Sequence, residues 1–296
     1  MDSALSTVGL PVALGIIMLG LGLSLTPDDF RRVGRHPKAV VVALACQLLL
    51  LPLLCFGLVT AFDLDPLLAV GMLLLAASPG GTSANLYSHL FRGDVALNVS
   101  LTAINSVVAI GTLPLITNLA IAHYGLDDEV SLQFRKVVEV FVVVLAPVLL
   151  GMLVRRRRPA LAARADRPVR TASAVILLVL VLGILASTGS DAGDYLRQVG
   201  LPAALFCVMS LVVGFAVPRL VGLGPAQAVA SSFEIGVHNA TLAIYVAVEV
   251  LGETAISVPG AVYGVLMFPL AALWGVLLTR RLLPAAARHG AGARTA

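Results

Sequence analysis

The stretch Ala77-Ser78-Pro79-Gly80-Gly81-Thr82-Ser83-Ala84-Asn85 interrupts an otherwise apolar run over 66–91. Pro79 lacks an amide hydrogen and clashes with the preceding helical turn. Gly80 and Gly81 carry a large entropic penalty inside a helix. The segment therefore predicts a helix that starts at Pro66, breaks at Pro79-Gly80-Gly81 and restarts beyond them. A second run, 225–251, carries Ser231-Ser232-Phe233-Glu234-Ile235-Gly236-Val237-His238-Asn239 at a similar depth, with Gly236 as its breaker. If both runs lie in a membrane, broken backbone there is tolerated only where it is buried in protein or lines a cavity. Each break frees carbonyls of the first half-helix, which attract cations, and N–H groups of the second, which attract anions.

Composition places both runs in lipid. Apolar residues make up 59% of the 296, charged residues 12%, and the mean hydropathy is +0.99. An ordinary soluble domain carries about 25% charged residues, so a soluble fold, a disordered chain and a collagen are excluded. An α-helical polytopic membrane protein remains. The net charge of +4 is dispersed between apolar runs, which argues against a nucleic-acid partner. Cys46, Cys55 and Cys207 lack metal-ligand spacing and read as small buried hydrophobes.

Nine apolar segments follow, near 5–25, 38–61, 66–91, 95–120, 132–154, 171–187, 197–217, 225–251 and 256–279. With the N-terminus outside and the C-terminus in the cytoplasm, every one of the 20 basic residues except Arg135, Lys136 and Arg197 falls on the inner side, as the positive-inside rule demands. Acids cluster outside, Asp63, Asp65, Asp127, Asp128, Glu129 and Asp191 among them. From the first broken span to the second is an odd number of crossings. The triplets 38–120 and 197–279 thus run in opposite directions, an inverted repeat of the kind found in secondary transporters.

Glu234 is the one carboxylate placed near mid-membrane, with no Lys or Arg near it in sequence. It reads as a cation ligand, or as a protonated acid bonding across helices. Asn98, Thr102 and Asn105 share one helix face. Their oxygens suit a hard cation, by analogy with Ca²⁺ and Mg²⁺; interhelical hydrogen bonding is the alternative. Gln47 is open in the same way. His238 either relays protons or stays neutral and bonds a neighbour. No nucleotide-binding loop, zinc signature or nucleophile elbow occurs, which argues against an ATP-driven pump and against an enzyme.

The run Ala77–Asn85 followed by Gly93-Asp94-Val95-Ala96-Leu97, together with Glu234-Ile235-Gly236-Val237-His238-Asn239 and the stretches Gly15–Met18 and Pro27–Phe30, resembles the bile acid:sodium symporter family. The resemblance implies a core, 38–120 plus 197–279, holding two broken helices where they cross. It implies a panel, 5–25 plus 132–187, with substrate bound between core and panel. It implies one sodium site at Asn85, Asn98, Thr102 and Glu234, where Ala84 and Asn98 stand at positions the family often fills with Ser. It implies a second at Gln47, the side chain at 238 and carbonyls near Glu234, Ile235 and Val237. His238 replaces the family's usual Gln.

The expectation is a nine-helix, inverted-repeat secondary active transporter that symports sodium and an organic anion, bile-acid-like or a small carboxylate, by alternating access. Half-helix N-termini near Thr82 and Asn239 would offer N–H groups to the anion. Na⁺ is the coupling ion and no other cofactor is expected. The setting is a monomer among lipids of the plasma (inner) membrane. A proton-coupled transporter using Glu234 and His238 is the alternative, followed by a membrane receptor that binds without transporting.

Overall fold

The computed structural model describes residues 9–32, 34, 36–126, 134–187, 189 and 192–282. Both chain ends, the first residues of the expected 5–25 and 132–187 segments, and Asp127, Asp128, Glu129 and Asp191 lie outside the described residues. Among the described residues the elements are all helices: α1 (Leu10–Ser24), α2 (Pro27–Arg32), α3 (Pro37–Ala45), α4 (Leu51–Ala61), α5 (Pro66–Ala77), α6 (Thr82–Leu90), α7 (Val95–His123), α8 (Phe134–Arg157), α9 (Pro159–Ser187), α10 (Ala192–Leu220), α11 (Pro225–Gly236), α12 (Ala240–Tyr245) and α13 (Thr254–Leu277). A π-helical turn, Cys46–Leu50, joins α3 to α4, and another, Val246–Leu251, extends α12.

Among the described residues four continuous helices are long and apolar enough to cross a membrane: Pro37–Ala61, Val95–His123, Ala192–Leu220 and Thr254–Arg280. Shorter apolar helices accompany them, among them Pro66–Ala77 and Ala240–Leu251 on either side of the interruptions. The chain is a multi-pass membrane protein. Its outward stripes agree: Val175, Leu178, Val179 and Leu182 of α9 are exposed at i, i+3, i+4 and i+7, an apolar helix face left for lipid.

Local chemistry sets the starts. Asp65 accepts from Leu67 N at 3.0 Å and Asp94 from Leu97 N at 3.0 Å; each aspartate satisfies an amide that a new helix leaves open. Pro66 and Pro225 sit in first turns, where a missing N–H is no loss. The stretch 155–170, between the expected segments 132–154 and 171–187, is helical on both sides of Arg158: α8 runs to Arg157 and α9 begins at Pro159. Ala160, Ala162, Ala163 and Ala165 have high helix propensity, and Pro159 presets the first turn.

Packing sorts the helices. α1, α8 and α9 pack on one another, and they meet the rest mainly through α13, α12, the π-helical turn Val246–Leu251 and α6. The α1–α8 contact is backbone to backbone: a Cβ on Gly22 would enter the Val148 carbonyl, and one on Gly151 would stand 2.6 Å from Leu19 O. In the remainder, α5 lies against α13 and α7, while α11 lies against α10, α6 and α7. The three cysteines are free thiols buried in these contacts.

Overpacking a tight contact costs about 1–3 kcal/mol. Gly22→Ala is expected to destabilise the detergent-solubilised protein by about that amount. Gly111→Ala, where a methyl meets nothing within 4 Å, is expected to be neutral or slightly stabilising by helix propensity, about 1 kcal/mol at most. Comparative thermal unfolding checks both.

Candidate functional site

α5 stops at Ala77, Ser78 is extended (φ −72°, ψ 144°), and α6 starts at Thr82 after an extended Gly81. α11 ends on Gly236, so the second interruption occupies Val237, His238 and Asn239, just beyond that glycine. The two interruptions lie side by side as a short antiparallel bridge between Gly80 and His238. Gly81 N donates to Val237 O at 2.7 Å, and Asn239 N donates to Pro79 O at 2.8 Å. Each break thus answers part of the other's backbone demand in an environment that offers no water.

Side chains take further carbonyls of the frayed ends. Gln47 Nε2 donates to Ala76 O (3.3 Å) and Ser78 O (3.0 Å) from within the π-helical turn. His238 Nδ1 lies 3.2 Å from the same Ser78 O. With that nitrogen protonated, it donates to the carbonyl and Nε2 carries the lone pair. Tyr263 Oη donates to Gly236 O at 2.9 Å. The imidazole stacks on Phe206 at 5.6 Å and meets Tyr263 edge-on at 5.4 Å. Gln47 Oε1 and His238 Nε2 are buried without a hydrogen-bond partner.

Glu234 is wholly buried (0% exposed) behind the crossing. Oε2 accepts from Thr102 Oγ1, and Oε1 accepts from Asn105 Nδ2 at 3.0 Å. The Gly80 backbone presses on the carboxylate so closely that a Cβ there would overlap it. This close approach explains the glycine. Among the described residues no basic side chain pairs with Glu234, and no cluster of three His, Cys, Asp or Glu suggests a transition-metal site.

Unpartnered amide atoms stand on the neighbouring helices α6 and α7. Asn98 donates its Nδ2 to Ala230 O at 2.7 Å and keeps a buried, unpartnered Oδ1. Asn105 keeps its Oδ1, and Asn85 keeps both amide atoms, likewise buried and unpartnered. A carboxylate with spare amide oxygens on the helices around it, once ionised, fits a hard monovalent cation and does not suit zinc or copper. Asn85, Asn98, Thr102 and Glu234 thus stand on α6, α7 and α11, three helices packed together. Ala84 is buried at the α6 position beside Asn85. Gln47 and His238 gather at Ser78, with Ile235 and Val237 buried next to them.

A cavity of about 150 Å³ lies on the other side of the bridge. Gly81, Thr82, Ser83, Asn239, Ala240 and Thr241 line it from the half-helix N-termini; Ile17 of α1 and Ser173, Ala174 and Leu177 of α9 close it. Asn239 Oδ1 is engaged by Leu242 N at 3.1 Å as the α12 cap. Thr82 and Asn239 therefore share a cavity wall.

Sequence reasoning placed Asn105 on the cation-facing side of its helix and gave no role to Ser88, Ser231 or Tyr263. Asn105 had been seen on the Asn98–Thr102 face, and that signal was sufficient. Ser88 and Ser231 are buried with unpartnered hydroxyls, and each lies three residues from Asn85 or Glu234. Tyr263 had no sequence signal beyond a lone phenol in an apolar run.

A family model described as "Sodium Bile acid symporter family" matches residues 11–192. The chain is 29% identical over 289 residues to a probable sodium/metabolite cotransporter, BASS2, chloroplastic, of Oryza sativa, covering 96% of this chain and 66% of the relative. It is 30% identical over 266 residues to the sodium-dependent transporter YocS of Bacillus subtilis, covering 86% and 78%. It is 27% identical over 238 residues to the human ileal sodium/bile acid cotransporter, covering 80% and 68%. The chain thus spans just under two thirds of the chloroplast relative's length and somewhat more of the other two. On the matched model and the bacterial relative, the chain belongs to the sodium bile acid symporter family.

Proposed function

We propose that this protein is a secondary active transporter that imports an organic anion in symport with sodium. The observation that carries the reading is Glu234, a buried carboxylate with no cationic partner among the described residues, set among amide oxygens. Relatives named as sodium-coupled transporters support it.

In this reading the chain crosses the membrane nine times, N-terminus outside and C-terminus in the cytoplasm. α3–α4, α5–α6 and α7 form one inverted repeat, and α10, α11–α12 and α13 the other. These make the core of 38–120 and 197–279. The helices α1, α8 and α9 form the panel. One sodium is held by Glu234, Asn85, Asn98, Thr102 and, in addition, Asn105. A second is held near Gln47, His238 and the carbonyls of Ile235 and Val237. Sodium bound at the first site neutralises Glu234 and stiffens the crossing beside Gly80. It can drive transport only by favouring one conformation over the other.

The anion occupies the cavity at the N-termini of α6 and α12, where N–H groups of the starting helices point to negative charge. At about 150 Å³ this cavity is smaller than the roughly 300–1,000 Å³ of drug-sized sites. It suits a small carboxylate directly. A bile-acid-like anion requires the panel to move outward. Core and panel rock about the bound anion to expose it to either side.

Proteoliposomes are expected to accumulate a small keto acid or bile acid only under an inward sodium gradient; equal uptake from potassium buffer removes sodium coupling. Glu234→Gln keeps the side-chain shape and removes the charge. Breaking a buried charge interaction costs roughly 3 kcal/mol or more, about a hundredfold in sodium affinity, which sodium titration of thermal stability reads. Ser173→Trp fills the cavity and is expected to abolish anion binding while sodium still stabilises the protein.

Proton coupling is favoured by one observation, the buried and unpartnered Nε2 of His238. His238→Gln separates the readings: sodium-driven uptake persists in this variant, whereas proton-driven uptake loses its dependence on a pH gradient.

A further inference from the structure

Several serine hydroxyls on these helices hydrogen-bond back to their own helix. Ser100 donates to Ala96 O (2.8 Å), Ser106 to Thr102 O (2.7 Å), Ser173 to Val169 O (2.8 Å) and Ser210 to Phe206 O (2.7 Å). That is the ordinary way to satisfy a serine in a helix. Ser88 and Ser231 depart from it, as does Thr117 farther along α7. The two serines are 0% and 2% exposed, and neither hydroxyl has a partner. An unsatisfied buried hydroxyl is destabilising, so two of them on facing helices call for an explanation.

Their positions supply one. Ser88 lies one turn beyond Asn85 on α6, toward that helix's C-terminus. Ser231 lies one turn before Glu234 on α11, toward that helix's N-terminus. Asn98, with its spare Oδ1, lies one turn before Thr102 on α7. All three are displaced from the Glu234 cluster in the same direction, toward the turn Arg92-Gly93-Asp94. That turn closes over them. Gly93 N donates to Ser88 O at 2.7 Å, and Asp94 N donates to Ala226 O at 2.9 Å. A Cβ on Gly93 would stand 3.2 Å from both Ser88 Cβ and Ala230 N. Asn98 holds Ala230 from the other side through its carbonyl. Asp94 places a half-buried carboxylate at the outer end, while the neighbouring Arg92 is exposed.

We propose that Ser88, Ser231 and Asn98 Oδ1 form a transit station for a hard monovalent cation between Glu234 and the Arg92-Gly93-Asp94 turn. The hydroxyls are held off their own backbones so that they can replace water around the passing ion. The Asp94 carboxylate concentrates cations at the mouth. The turn acts as the cover, because Gly93 lets backbone rest directly on Ser88 and Ala230. The inference rests on the reading of the Glu234 cluster as a sodium site.

Two measurements test it. Equilibrium binding of radioactive sodium to the purified chain in nanodiscs reports the Glu234 site. Tracer exchange across proteoliposomes, with sodium, taurocholate and pyruvate equal on both sides, reports passage through the whole protein. Ser88→Ala/Ser231→Ala is expected to bind sodium with near wild-type affinity and to exchange it about tenfold more slowly, the effect of two lost oxygen contacts. Each single variant, expected to be about threefold slower, serves where the double variant does not fold. Ser100→Ala, a hydroxyl bonded to its own helix, is expected to exchange at the wild-type rate. Wild-type exchange by folded Ser88 and Ser231 variants, or equal slowing by Ser100→Ala, overturns this inference alone; a wild-type chain that binds sodium and never exchanges it overturns sodium symport and this inference with it. A wild-type chain that binds no sodium overturns the reading of Glu234 and this inference with it.

Discussion

The structure turns on backbone hydrogen bonding where water is scarce. Two helices stop in the middle of a buried bundle, and neither could do so alone, because each would leave its peptide groups unanswered. Side by side they answer each other through Gly81 N to Val237 O and Asn239 N to Pro79 O. Gln47, His238 and Tyr263 take the carbonyls of Ala76, Ser78 and Gly236. The tolerated break creates the chemistry: it brings the N-termini of α6 and α12 to one cavity, and it leaves room for Glu234 to sit against Gly80.

Glu234 is the counterpart of that arrangement in charge. A buried carboxylate is expensive unless it is paired. Two donors, Thr102 and Asn105, offset part of the penalty. The spare oxygens of Asn85, Asn98 and Asn105 cannot donate and so add nothing to an anion by themselves. They gain a purpose when a cation joins the carboxylate. Under the proposed function, the ion completes a set of ligands drawn from α6, α7 and α11, and thereby ties the first repeat to the second.

The broad architecture was readable because the rules at that level are strong. Pro79-Gly80-Gly81 in an apolar run has few other meanings, and α5 does end just before it, at Ala77. The stretch 155–170 fell between two expected apolar segments, and its alanines build helix there. Gly236 marked the neighbourhood of the second interruption, but it closes α11 and leaves the non-helical backbone to the next three residues. Partner identity was the least legible level. The face shared by Asn98, Thr102 and Asn105 followed from spacing, yet the choice of Thr102 and Asn105 as donors to Glu234, with Asn98 turned to Ala230, depends on the relative placement of α7 and α11. Periodicity along one helix does not encode that placement.

The contact of α1 with α8 through Gly22 and Gly151 has a mechanical corollary. Main chain rests on main chain there, with no flexible side chain between to absorb a shift. Joined also to α9, these helices behave as a stiff blade, and a push on any one of them arrives undiminished at the other two. Spectroscopic labels on separate members of the trio would trace a single trajectory.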